Sequence, residues 1–173
     1  MNKIIFLDID GVLNTEYYQG MLQHKGEPWQ DEHGALFDPN AVACLKRIID
    51  ATRADIVIES SWKYIGLDSL KELWSIRKLP GRVIDITPSS INDKYLFELS
   101  PDKSEFKRNQ SKGMEIASWL MENDKKDAKY VIIDDEYVIM DSQLPFFILT
   151  NPYEGITNTQ ADRAIFILNE PMV

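Results

Sequence analysis

Two acidic side chains near the start of the chain have the type and spacing of a metal-assisted catalytic pair. Asp8 and Asp10 follow an apolar run with β-branched residues, and Gly11 comes directly after them. The run predicts a buried strand that stops at a turn, and alternation along a strand would put both carboxylates on one side. Because two close carboxylates repel each other unless a cation neutralises them, a hard divalent ion such as Mg²⁺ suits this position. The alternative is a strand end with solvated acids.

Other polar side chains occur where further strands are predicted to end. Ser60 and Ser61 follow the second strand, Asp134 and Asp135 end the fourth, and Lys112 lies in the first turn of the helix between the third and fourth strands. Ligands of parallel α/β sheets bind at the carboxyl ends of the strands, so these side chains should meet at one edge. The serines could instead cap the next helix, and the two acids could form a polar turn.

The elements that must position these side chains alternate between strand and helix. After the first strand, strands are predicted at residues 55–59, 82–87, 129–133 and 146–150. Helices are predicted at about residues 39–53, at 69–78, from 111 onward and from 157 onward, with Asp38, Ser111 and Thr157 as N-caps. Strands separated by helices imply an α/β, three-layer Rossmann-like fold with a mostly parallel five-stranded sheet. The length of 173 residues fits one domain, residues 1–173.

Two connections are predicted to be irregular. Residues 15–37 contain glycine and proline that interrupt any periodicity, and residues 88–110 form a long polar stretch. Both are too short for a full cap domain, so we expect loops to cover the site. Next to the two serines, Glu59 is an acid that would repel an anion bound there unless its side chain points away. Lys63 is expected to be a solvated surface lysine, and a contact with the substrate is the alternative.

Composition excludes several classes of protein. The net charge of −9 argues against avid, non-specific binding of nucleic acid, although it permits brief action on a nucleic-acid end. The only cysteine is Cys44, so no disulfide can form within the chain, and we expect a reducing, cytoplasmic location. No apolar stretch approaches the length of a membrane span, and the first residues are unlike a signal peptide, so no membrane partner is predicted.

Four motifs, in this order, resemble those of the haloacid dehalogenase superfamily, which consists mostly of Mg²⁺-dependent phosphatases and phosphotransferases. They are DxDGVLN at Asp8, an apolar strand followed by ESSWK at Glu59, SKGMEIASWL at Ser111 and an apolar strand followed by DDE at Asp134. Their wording, together with a late NPYEGIT at Asn151, is similar to the phosphatase-like domains associated with RNA-repair multidomain proteins.

The resemblance implies chemical roles for the acids. Asp8 would be the nucleophile that attacks phosphorus to give an aspartyl-phosphate. Asp10 would protonate the leaving oxygen and later take a proton from water, and its backbone carbonyl would also bind Mg²⁺. Asp134 would complete the shell of the metal, together with Asp135 either directly or through water.

Substrate-binding roles are implied in the same way for the remaining residues. Ser60, with Ser61 as the fallback, would bind the transferring phosphoryl group, and Gly11 at the turn is a further substrate-binding position. Lys112 would lie near Asp8 and the phosphate, where its point charge neutralises both. A helix N-terminus at this place adds a favourable dipole toward an anion.

The sequence therefore predicts a Mg²⁺-dependent phosphatase that hydrolyses a phosphate monoester, with a nucleotide or a nucleic-acid end as the favoured substrate. An open site, covered by loops alone, could accept a phosphate at the end of a polymer. Two alternatives stay open at this point. One is a phosphatase of small molecules such as sugar phosphates or nucleotides, and the other is a non-catalytic module that binds phosphate.

Overall fold

The structure, a computed structural model, describes residues 2–89 and 112–171 of the chain. The strands are β1 (Lys3–Leu7), β2 (Gln30–Asp31), β3 (Gly34–Ala35), β4 (Asp55–Ile58), β5 (Val83–Ile86), β6 (Lys129–Asp134) and β7 (Phe147–Leu149). The α-helices are α1 (Glu16–His24), α2 (Pro39–Thr52), α3 (Leu67–Ile76), α4 (Lys112–Glu122) and α5 (Asn158–Asn169). Two 3₁₀ helices lie at Ser61–Ile65 and Asp141–Phe146. Within the described ranges, every helix is too short or too polar to span a membrane.

Five strands form one sheet in the order β5-β4-β1-β6-β7, and every neighbouring pair is parallel. The predicted α/β fold with a five-stranded sheet is therefore confirmed. β1 lies in the centre, where Ile5 pairs with Ile56 on one side and with Val131 on the other. The chain reverses its direction of winding at β1, and a crevice opens outside the strand ends at such a reversal.

Both faces of the sheet are buried, which explains why the strands read as nearly continuous apolar runs. Side chains of α2, α3 and α5 pack with Ile5 and Leu7 on one face. On the other face, Ile116 and Trp119 of α4 pack with Ile4 and Phe6. The strand ends are thereby held in fixed positions between two layers of helices.

Helix ends follow the predicted capping chemistry in two places. The Asp38 side chain accepts a hydrogen bond from Asn40 N at 2.9 Å, and proline follows at the first position of α2. Thr157 caps α5 in a capping box with Gln160. Strands β4 to β7 and helices α2 and α3 begin and end within about two residues of the predicted bounds, and α5 begins equally close to its predicted start.

The prediction that residues 15–37 are irregular was wrong. They contain α1 and a small antiparallel hairpin of β2 and β3. Only Leu22 of α1 is buried, so the helix has little apolar periodicity to detect. It is held instead by the Thr15 cap and by backbone hydrogen bonds from Glu16 N to Pro152 O and from Tyr17 N to Tyr153 O, both 3.0 Å. These pieces are still far smaller than a cap domain. Most of the predicted polar connection at 88–110, and the Ser111 cap, lie outside the described residues.

Candidate active site

Three acids and one lysine from separate segments meet at the carboxyl edge of the sheet. Asp8 follows β1, Asp134 ends β6 and Asp135 follows it, and Lys112 begins α4. The ammonium of Lys112 donates to Asp134 Oδ2 at 2.8 Å and lies 3.4 Å from Asp8 Oδ2. Asp8 and Asp134 are 4% and 1% exposed, so these charges interact with little screening by water. The structure thus brings together four of the side chains selected from the sequence.

The three carboxylates lie close enough together to bind one divalent cation. One oxygen each from Asp8, Asp134 and Asp135 lies within 4.8 Å of the others. Among residues 2–89 and 112–171, Lys112 supplies the only ammonium that contacts these acids, and it lies against two of the three, so these four side chains carry a net negative charge. Oxygen ligands with excess negative charge are the set that Mg²⁺ prefers. These residues fit the predicted metal.

Burial and mutual repulsion perturb these groups strongly. Burial, followed by the charge of Asp134, raises the pKa of Asp8 to about 8, although Lys112 acts in the opposite direction. Burial also raises the pKa of Asp134. Burial alone would lower the pKa of Lys112, but the charges of Asp8 and Asp134 raise it overall. Perturbed ionisable groups in contact with one another are typical of functional sites.

Asp10 lies in a turn and not on a strand. β1 ends at Leu7, and the chain then turns so tightly that the N–H groups of residues 12, 13 and 14 all point at Ile9 O. Asp8 and Asp10 both lie beyond the end of β1, so the strand alternation that predicted a common side does not apply to them. Its carboxylate is exposed and lies outside the three-acid cluster. The proposed metal contact through its backbone carbonyl stays a prediction.

Two side chains fix the orientation of the Asp10 carboxylate. Its Oδ1 accepts a hydrogen bond from Trp62 Nε1 at 2.9 Å and another from Asn14 Nδ2 at 2.7 Å. Trp62 is itself held by packing against Phe37, with ring centroids 5.6 Å apart, and against Gly34. Sequence reasoning missed both donors, although each lies inside a motif that it had singled out, DGVLN and SSWK.

Gly11 has a structural reason to be glycine. Its φ is +75°, and a Cβ atom built there would lie 2.4 Å from Asp135 Oδ2. Its carbonyl also accepts a hydrogen bond from Thr150 Oγ1 at 2.8 Å, which ties the turn to the end of β7. The absence of a side chain at Gly11 thus allows Asp135 to approach the site. The substrate-binding role of Gly11 stays a prediction.

The two serines differ in environment. Ser60 is 1% exposed, and its Oγ accepts a hydrogen bond from Trp62 N at 3.2 Å, so it caps the 3₁₀ helix that follows. A hydroxyl that accepts through a lone pair keeps its own O–H to donate. Ser61 is exposed at the first position of that helix. Capping and phosphate binding are therefore compatible at Ser60.

Lys63 is not a solvated surface lysine, and that prediction was wrong. Its ammonium forms an ion pair with Glu115 Oε2 at 2.9 Å, donates to Thr87 Oγ1 at 3.2 Å and lies 3.7 Å from Glu59 Oε1. Glu59 is 2% exposed and also accepts a hydrogen bond from Thr87 Oγ1. The Glu59 carboxylate thus points into this buried cluster. An acid can stand next to Ser60 because the Glu59 carboxylate has its partners, Thr87 and Lys63, inside the protein.

The start of α4 is held by the segment that follows β6. Gly113 N donates to Val138 O at 2.9 Å, and Gln143 Nε2 donates to Gly113 O at 2.7 Å. A Cβ atom on Gly113 would lie 2.7 Å from Met140 N, so only glycine permits this approach. Lys112 is positioned by these contacts. Sequence reasoning noted Gly113 beside Lys112 but gave no role to the buried Gln143.

Comparison with known proteins tests the family resemblance. The family model described as "HAD domain in Swiss Army Knife RNA repair proteins" matches residues 4–161. No curated protein and no solved structure matches the chain. The resemblance to the haloacid dehalogenase superfamily, and to its RNA-repair branch, is thereby confirmed. A phosphatase of this general type is supported.

Proposed function

We propose that this chain, which belongs to the family of HAD domains in Swiss Army Knife RNA repair proteins, is a Mg²⁺-dependent phosphatase acting on a nucleotide or a nucleic-acid end. The observation that carries the proposal is the position of the Asp8 carboxylate. It lies beside Lys112, Asp134 and Asp135, where a phosphate could be bound and a metal held. Asp10 stands separately, exposed and oriented by two hydrogen-bond donors.

In the first step, a carboxylate oxygen of Asp8 attacks the phosphorus of the monoester. The new bond from Asp8 to phosphorus forms while the bond from phosphorus to the leaving oxygen breaks, which gives an aspartyl-phosphate. Asp10 enters this step protonated and transfers its proton to the leaving oxygen, so an alcohol departs. The donors Trp62 and Asn14 hold the Asp10 side chain in one orientation for this transfer.

In the second step, water attacks the phosphorus of the aspartyl-phosphate. Asp10, now ionised, takes a proton from that water as the bond to Asp8 breaks. Inorganic phosphate leaves, Asp8 is a carboxylate again and Asp10 is protonated for the next cycle. Lys112 neutralises negative charge on Asp8 and on the phosphoryl oxygens throughout.

Asp8, Asp134 and Asp135 would hold Mg²⁺, with the Asp10 carbonyl as a further ligand. The ion would supply positive charge to offset the negative charge of the phosphoryl oxygens. The Ser60 hydroxyl is suited to donate to one of those oxygens.

Two observations support the choice of substrate. The description of the matched family refers to RNA repair, a process whose substrates include phosphorylated nucleic-acid ends. The net charge of −9 disfavours binding along a nucleic-acid backbone, so recognition would rest on the terminal phosphate and its nearest neighbours. Binding should accordingly show a shallow dependence on salt.

The test is hydrolysis of p-nitrophenyl phosphate with Mg²⁺ and, separately, with EDTA. Asp8→Asn should abolish turnover because an amide is a poor nucleophile, and Asp10→Asn should lower kcat by about 100-fold or more. Asp124→Asn is the matched control, because Asp124 is exposed and its φ of 52° suits asparagine. Acid-quenched wild-type protein should carry phosphate on the peptide that contains Asp8. Near-normal activity of Asp8→Asn would refute the assignment of the nucleophile.

A further inference from the structure

A cleft of about 280 Å³ opens beside Asp10. Its lining combines a half-buried indole, that of Trp29, with the amide side chains of Asn14 and Gln19 and the aliphatic side chain of Leu36. The volume is near the lower limit of small-molecule sites in proteins. A group about the size of one nucleoside would fill it.

The position of the cleft relative to Asp10 indicates which part of a substrate it would receive. Asp10 and Asp135 both line it. The cleft would therefore lie directly beside the reacting phosphoryl group. Under the mechanism above, Asp10 faces the leaving oxygen. The group attached to that oxygen would therefore extend into this cleft.

The charge of the lining restricts the chemistry of that group. Asp10, Glu16 and Asp135 contribute three carboxylates, and the described residues that line the cleft include no lysine or arginine. A second phosphate placed there would meet like charge without a partner, which is unfavourable in a partly desolvated site. A neutral group with hydroxyl and ring nitrogen atoms would instead find an amide partner in Gln19, and a second in the amide hydrogen of Asn14 that is not bonded to Asp10.

Trp29 supplies a flat surface for such a group. The backbone carbonyl of Trp29 accepts a hydrogen bond from Leu36 N at 3.0 Å. This bond ties the backbone of Trp29 to the other end of the β2–β3 hairpin. Arg77 in turn fixes that hairpin by donating to Gly34 O and Ala35 O, at 3.0 and 2.8 Å. These contacts hold the backbone at Trp29, and an indole that lines a cleft is suited to stack on an aromatic ring.

We propose that this cleft binds the terminal nucleoside of the substrate as its uncharged leaving group, with the base stacked on Trp29. The inference rests on the proposed function, because it takes the Asp10 side of the site as the leaving-group side. Any further phosphates of a nucleic acid stay outside the cleft. A mononucleotide and an oligonucleotide end then present the same group to the protein.

The experiment compares substrates with and without a base in wild type and Trp29→Ala. The substrates are the 3′ and 5′ isomers of adenosine monophosphate, ribose 5-phosphate as the base-free compound, and an oligonucleotide with a terminal phosphate on adenosine. Trp29→Ala should raise KM for the adenosine substrates about tenfold more than KM for ribose 5-phosphate, which is what one lost base–aromatic contact produces. Trp29→Phe, which keeps an aromatic face, should restore most of the difference.

Phe166→Ala is the control for truncation of an exposed aromatic side chain, because Phe166 is 63% exposed on α5. It should affect all substrates equally. If Trp29→Ala raises KM by the same factor for the mononucleotide and for the oligonucleotide, the two substrates share one nucleoside site. An effect of Trp29→Ala on the oligonucleotide alone overturns the proposal. An equal effect of Trp29→Ala on ribose 5-phosphate and adenosine monophosphate also overturns it.

Failure of the proposed function is distinguishable from failure of the cleft proposal. Adenosine alone, titrated into the protein by calorimetry, tests the cleft without any turnover. If p-nitrophenyl phosphate is not hydrolysed but adenosine binds wild type more tightly than Trp29→Ala, the catalytic proposal fails and the nucleoside site stands. Hydrolysis without a difference in adenosine binding refutes the nucleoside site alone.

Discussion

Replacing Glu59 by glutamine should stabilise the protein, and by an amount that grows with pH. Glu59 is 2% exposed, and burial, followed by its hydrogen bond to Glu115, raises its pKa from 4.5 to about 9. An acid with a higher pKa in the folded state binds its proton more tightly when the protein is folded. Its contribution to the free energy of unfolding is therefore fully present below pH 4.5 and is lost as the pH rises toward 9.

The magnitude follows from proton linkage. For one proton, the free energy of unfolding falls by up to about 1.4 kcal/mol for each pH unit in this range. Between pH 5 and pH 7, Glu59 should thus cost the folded protein up to about 3 kcal/mol. Glutamine has nearly the same shape, can accept from Thr87 and donate to Glu115, and has no proton to lose. Lys63 keeps its 2.9 Å ion pair with Glu115 in the variant.

Urea unfolding, followed by tryptophan fluorescence, measures this effect at pH 5, 6 and 7 in the presence of a chelator. The difference in free energy of unfolding between Glu59→Gln and wild type should grow by up to about 3 kcal/mol across the series. Asp8, whose pKa is also raised, contributes equally to both proteins and cancels in the difference. Glu154→Gln, at an exposed position, is the matched control and should follow wild type. A constant difference at all three pH values would show that Glu59 is ionised in the folded protein.

Three further predictions concern the site itself. Trp62→Phe keeps an aromatic ring but removes the N–H that orients Asp10, so kcat for p-nitrophenyl phosphate should fall about tenfold with little change in KM. An unchanged kcat would show that the contact is dispensable. Mg²⁺ at about 100 times its Kd should raise the free energy of unfolding by about 2.7 kcal/mol, and Asp135→Asn should need more Mg²⁺ for the same rise in Tm. Gly11→Ala should cost about 1–2 kcal/mol of stability because of its positive φ, and should weaken Mg²⁺ binding by displacing Asp135; equal Mg²⁺ titrations of variant and wild type would contradict this.

The sequence predicted the sheet and its acids because each depends on local patterns. The apolar runs before Asp8 and Asp134 show where two strands end, and parallel strands with helices between them put those ends at one edge. Capping at Asp38 and Thr157 is likewise a matter of a few neighbouring residues. These parts of the fold need no knowledge of distant contacts.

The parts that the sequence did not predict depend on partners far along the chain. Lys63 looks like any exposed lysine until α4 brings Glu115 against it. Helix α1 is held by backbone contacts with residues near Pro152, which no periodicity reveals. The orientation of Asp10 depends on Trp62, which comes after α2 and β4 in the chain. Such contacts follow from the packed structure and leave little trace in local patterns.

The central place of β1 in the sheet determines when the site can assemble during synthesis of the chain. β1 leaves the ribosome before both of its neighbours, since β4 follows only after α2 and β6 only after α4. The Asp8 carboxylate therefore meets its counter-charge, Lys112, and its neighbour in the acid cluster, Asp134, only after these later segments have been made. Sheets built from such distant pairings form slowly and leave strand edges open in the meantime. The site of a nascent chain should therefore form only after β6 has been made. Chaperones that shield β1 until then should help the chain to fold.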